Sequence, residues 1–178
     1  MFEVGSYVSY RAEGVCVIID IRTEAFNALG KSEEFYILAP LKDMNSVLYV
    51  PLGNDRLTSK MLPLLSADGI CALADELRET RMEWINDSRA RNSALREMLA
   101  AGGRRDLMIL VNTIIDRIER AEEIGRNITA GDANILARAK KMLLDEFSVT
   151  SDIDSVEALM AVLSGERRCL PREIVLNK

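Results

Sequence analysis

The chain has 178 residues, 48% of them hydrophobic and 29% charged, which suits one large or two small globular domains. A formal net charge of −5 argues against a general nucleic-acid binder, and the absence of histidine removes Ser-His-Asp and Cys-His catalysis and every histidine metal site. No apolar run is long enough to span a bilayer, and the first residues lack a signal peptide's layout, so a cytoplasmic protein without a membrane segment is expected.

The first sixty residues read as short β-type runs. Ser6–Tyr10 alternates, Val15–Ile21 is apolar and β-branched, and Glu34–Ala39 and Ser46–Val50 come after them. Turn signals bound each run: Glu13-Gly14, Asn27 to Gly30, Lys42 to Asn45, and Pro51 to Gly53. This spacing predicts a small, strongly bent, barrel-like sheet with an open edge. The stretch from Pro51 to Pro63 reads as a short link that restricts the orientation of the helical part relative to the sheet.

From residue 66 the period is helical. Ser66 opens a helix carrying Ile70, Leu73, Ala74 and Leu77. A second helix is predicted from Arg81 to Ala101, stopping at Gly102-Gly103. The third is the most apolar, with Leu107, Leu110, Val111, Ile114, Ile115 and Ile118 on one face and Gly125 as its stop. Thr129 to Asp132 begins a fourth, and Ser151 a short fifth that ends at Gly165. The tail, residues 166–178, has no clear period and is expected to be loosely held. The domains are therefore residues 1–60, a helical bundle over 66–165, and the tail, in an α+β chain.

Few residues suggest chemistry. Cys16, Cys71 and Cys169 form no CxxC pair, which disfavours a disulfide framework or a zinc site. No glycine-rich phosphate loop is present, and the carboxylates mostly sit at helical spacing beside Lys or Arg. No cofactor, small-molecule substrate or enzymatic role is expected. Trp84, the only tryptophan, lies among polar neighbours and reads either as a packing anchor or as an exposed contact. From Arg78 to Arg105 seven arginines face four acids, a local charge of +3. Those arginines read either as phosphate contacts or as a solvated face with helical ion pairs. Lys140-Lys141 reads first as helix surface.

Phe2-Glu3-Val4-Gly5-Ser6-Tyr7-Val8-Ser9-Tyr10, then Gly14-Val15 and later Tyr49-Val50-Pro51, resemble the polymerase-interacting domain of the bacterial CarD family, also found in the transcription-repair coupling factor. Trp84-Ile85-Asn86-Asp87, Leu99 to Gly102, Arg105-Asp106-Leu107 and Ala139 to Phe147 resemble the CarD C-terminal domain. The resemblance implies a Tudor-like, SH3-like N-terminal β-barrel followed by an all-helical bundle. It implies a transcription regulator that docks on the RNA polymerase β subunit by strand-edge pairing, around Arg22, Thr23, Glu24, Val47, Leu48 and Tyr49. On pattern alone, Val47 and Tyr49 could equally alternate in and out of the barrel, with Arg22 on a solvated face. The family places basic side chains near the Glu24 and Tyr49 positions, and this chain departs from it there. The resemblance also implies a weak, non-sequence-specific minor-groove contact with promoter DNA that holds the open complex. In it Trp84 is the wedge, and Arg81, Arg89, Arg91, Arg104 and Arg105 are the candidate phosphate contacts. The competing reading is a protein-interaction adaptor that uses the β module without a DNA role.

Overall fold

The computed structural model describes residues 1–10, 13–25 and 32–173. The chain divides into two compact units, Met1–Leu64 and Leu65–Lys178. The expected turn at Asn27 to Gly30 falls outside the described residues.

The first unit holds β1 (Tyr7–Tyr10), β2 (Val15–Glu24), β3 (Glu33–Pro40), β4 (Leu48–Pro51), the short helix α1 (Asp55–Thr58) and β5 (Met61–Pro63). All strand pairs are antiparallel, in the order β4-β3-β2-β1-β5. The sheet is open, so the expected Tudor-like barrel is only an approximation. Its two border strands are short and end in Pro51 and Pro63, residues that cannot donate to a further ladder. The segment expected to be a link belongs to this unit instead. Leu52 donates to the Glu34 carbonyl, Asn54 caps α1, and Met61 pairs with Tyr10.

One face of the sheet buries Val8, Tyr10, Cys16, Ile18, Tyr36, Leu38, Val50 and Met61. A β-bulge at Ile19 decides what the far half of β2 presents. Ile18 pairs with Leu38 and Asp20 with Ile37, leaving Ile19 as the extra, exposed residue. The extra residue resets the two-residue alternation. Ile21 thereby stays with the core beside Tyr36, and Arg22 turns to the opposite face opposite Phe35.

The second unit comprises α2 (Ala67–Leu77), α3 (Ser88–Ala101), α4 (Arg104–Glu123), α5 (Ala130–Phe147) and α6 (Val156–Ser164). Ser66, Asp87, Thr129 and Ser155 cap the N-termini of α2, α3, α5 and α6, each accepting a backbone N–H from the first turn. Gly102, at φ 67°, closes α3 in the left-handed region that only glycine adopts freely. Helix α4 packs against α2, α3 and α5, and its Leu107, Met108, Leu110, Val111 and Ile114 are fully buried. No helix among the described residues is long and apolar enough to cross a membrane.

Three expectations change. Helix α3 starts at Ser88 rather than near Arg81, because residues 81–85 form no regular structure and give the Met82 N–H to Thr113 and the Ile85 carbonyl to Arg91. The last helix starts at Val156 behind Ser155. Ser151 instead buries its hydroxyl on the Phe147 carbonyl and bridges to Pro171. Residues 166–173, expected to be loose, are fixed. The Asp152 N–H donates to the Leu170 carbonyl at 2.9 Å, the Arg172 N–H to the Thr150 carbonyl at 2.9 Å, and Cys169 is buried against α2. The Cys169 thiol lies 3.1 Å from that of Cys71, a pairing their distance in sequence concealed.

Candidate functional site

Each unit carries one candidate surface. On the sheet, Arg22, Glu24 and Tyr49, three of the residues expected to bind a partner, are brought together on the face opposite the core, while Leu48 packs against the core. The Arg22 guanidinium donates to the Tyr49 hydroxyl at 3.2 Å and pairs with Glu24 at 2.9 Å. Tyr49 stands edge-to-face on Phe35, the residue that pairs with Arg22 across β2 and β3. Val47 and Tyr49 are exposed, Leu48 is half-buried, and Thr23 is exposed. Strand β3 runs between β2 and β4, so Arg22, Glu24 and Tyr49 share a face and not one strand edge. Of the two, only β4 borders the sheet.

On the helical unit, the segment between α2 and α3 is pinned by polar side chains buried beneath it. Asn112 donates to the Leu77 carbonyl at 2.9 Å, and Met82 donates its N–H to the Thr113 hydroxyl at 3.0 Å. Arg91 then fixes the far end of the segment, donating to the carbonyls of Ile85 at 2.7 Å and Asn86 at 3.2 Å. Between these anchors Trp84 is half-buried against the helical core. Two guanidiniums lie over its ring, those of Arg91 at 4.4 Å and Arg117 at 4.7 Å from the centre. The indole lines a groove of about 350 Å³ with Arg117, Arg120, Ile124, Arg126 and Thr129.

The expected phosphate contacts separate into two groups. Arg91 is only 4% exposed and forms a two-bonded pair with Asp132, itself 1% exposed, at 2.9 and 2.8 Å. Arg104 is 7% exposed and pairs with buried Glu146 at 3.0 Å, joining the start of α4 to the end of α5. Both were expected to meet phosphate, and their burial in ion pairs withdraws them from it. Arg81, Arg89 and Arg105 are exposed, but none lines the Trp84 groove: Arg81 bonds the Arg78 and Thr80 carbonyls, Arg105 pairs with Glu76, and Arg89 lies on the outer face of α3 with Arg96. Lys141 pairs with Asp145 along α5, an ordinary helix surface.

Of the basic groups around Trp84, Arg91 was singled out from sequence, whereas Arg117, Arg120 and Arg126 were not. Arg117 and Arg120 sit three apart on the polar side of α4, where the apolar stripe masked them, and Arg126 comes just after the Gly125 stop. Arg120 is partly neutralised by Asp116 at 3.0 Å. Burial opposes ionisation of the Asp132 carboxyl, yet hydrogen bonds from Arg91 and Thr129 hold it below the usual carboxylate range.

An open antiparallel sheet has border strands to which a further strand can add. Residues 2–62 match the family model of the CarD-like/TRCF RID domain, and this unit is such a domain. The match spans β1 to β5 and supports an RNA polymerase-interacting domain. The helical unit lies outside the matched residues. No curated protein matches the chain.

Proposed function

We propose that the protein is a bacterial transcription regulator that docks on the RNA polymerase β subunit through its sheet and stabilises the promoter open complex through its helical unit. Docking uses the border strand β4, whose position allows a partner strand to add to the sheet, with Arg22 and Tyr49 selecting the partner beside it. The observation that carries the DNA half is the groove that sets the sole tryptophan beside Arg117, Arg120 and Arg126 in a chain of net charge −5. Arginines there neutralise phosphates without reading sequence, and an indole inserted at a distorted base step opposes re-annealing.

Such an acidic chain binds free DNA weakly. Once the sheet is docked, the second contact is intramolecular, at an effective concentration on the order of millimolar. The partial burial of Trp84 favours a second reading, an adaptor whose sheet recruits polymerase with no DNA role.

A titration of the full chain against the isolated polymerase β-subunit lobe tests the docking half. Saturable binding that weakens on Tyr49→Ala, by an amount typical of an interface aromatic, about 1–2 kcal/mol, is expected. Absence of binding at tens of micromolar, about −6 kcal/mol in free energy, contradicts it.

A further inference from the structure

Arg91 and Asp132 are more than a link between α3 and α5. A buried ion pair contributes little net stability compared with well-packed apolar groups, because its desolvation offsets its attraction. Stability alone therefore does not explain why two charges are kept here. Their remaining bonds give a reason. The Thr129 hydroxyl, which caps α5, donates to the Asp132 carboxylate at 2.8 Å and fixes it on the first turn of that helix. The carboxylate holds Nε and one terminal nitrogen of Arg91. The other terminal nitrogen holds the carbonyls of Ile85 and Asn86, the two residues directly after Trp84, while the guanidinium carbon lies over the indole. Only a planar fork of donors can grip a carboxylate and two carbonyls at once; a lysine ammonium, a single point of charge, cannot.

We infer that the Arg91–Asp132 pair is a positioning device that sets the conformation of residues 84–86 and thereby presents the Trp84 ring in the groove. The chain of constraint runs from the α5 cap through Asp132 and Arg91 to the backbone beside the ring. What the ring then does rests on the function proposed above; that it is held this way does not.

Trp84 is the sole tryptophan, so emission from the full chain reports this ring alone. Arg91→Lys keeps the charge and removes the fork. Asp132→Asn removes the charge that anchors it, and Arg117→Met removes only the second, half-exposed cation. For Arg91→Lys and Asp132→Asn, the emission is expected to shift to the red and acrylamide quenching to rise toward that of free indole. Far-UV circular dichroism and polymerase binding stay unchanged. Arg117→Met, which leaves the backbone grip intact, moves the emission less. Open-complex lifetime in the two grip variants falls as far as in Trp84→Ala.

A merely structural pair would lower the melting temperature and leave native-state emission and quenching as in the wild type. That result in either folded variant overturns the inference, so loss of fold in one leaves the other decisive. If the emission shifts but Trp84→Ala leaves open-complex lifetime unchanged, the positioning stands and the DNA role fails. If emission is unmoved while Trp84→Ala shortens the lifetime, the DNA role stands and the positioning fails.

Discussion

The carboxyl of Asp132 is pulled in two directions. Burial favours its neutral form, and hydrogen bonds from Arg91 and Thr129 favour the charged form and win. A carboxyl whose folded pKa is depressed contributes stability above its unfolded value of 3.8, and loses it as pH falls through the lower, folded value. Unfolding by urea should therefore become easier as pH drops from about 5 toward 3. Asp132→Asn, which leaves Arg91 buried without its counter-charge, should cost about 3–5 kcal/mol at neutral pH and flatten that acid limb. The thiols show the opposite sign. Burial, then the charge of Glu13, pushes Cys16 up to about 11, and burial, then the hydrogen bond with Cys71, pushes Cys169 up to about 12, both from 9.0. Their contribution is complete below pH 9.0 and is lost as pH rises through the folded values. A thiol reagent near pH 8, about the ordinary thiol range, should react slowly with these two in the native protein and promptly after denaturation. At this scale sequence is least informative. Arg89 and Arg91 are two residues apart with the same local composition, yet one is exposed and the other lies in an ion pair, because Asp132, forty-one positions away, reaches only one of them.

Secondary elements were legible where a single face is buried over several turns. The stripe on α4 and the Ser66 and Thr129 caps can be read from period and cap chemistry, and so can the β-branched cores of β2 and β3. What escaped depends on partners distant in sequence. Residues 81–87 have respectable helix propensity, but Thr113 takes the Met82 N–H and Arg91 takes the Ile85 and Asn86 carbonyls, so the backbone stays out of the helix up to the Asp87 cap. Strand β5 has three residues, too few to show alternation, and the Ile19 bulge leaves no mark in composition. Asn112 gives the cleanest test of this long-range pinning. Asn112→Ala removes one of two donors to the Leu77 carbonyl, which keeps the Thr80 N–H at 2.9 Å, and should cost about 0.5–1.5 kcal/mol. It should lower the urea midpoint without changing the slope of the transition. The candidate site was legible to the same degree. Trp84 and Tyr49 stand out by residue type, whereas the Arg117, Arg120 and Arg126 companions of Trp84 become visible only when α4 and the loop after it meet the segment before α3.

At the scale of the molecule, charge and architecture divide the work. A chain of net charge −5 repels DNA on average and concentrates its basic groove on one unit, while the CarD-like/TRCF RID domain occupies the other. Under the proposed function, docking supplies most of the affinity and the groove acts only once it is tethered, so variants in the two units should have separable effects. The most direct test is the lifetime of the promoter open complex formed by polymerase with wild-type protein and with Trp84→Ala, under a competitor that traps released polymerase. A shorter lifetime for Trp84→Ala, with unchanged affinity for the β subunit, is the result expected. An unchanged lifetime at saturating protein would contradict the DNA role and leave an adaptor that acts through its sheet alone.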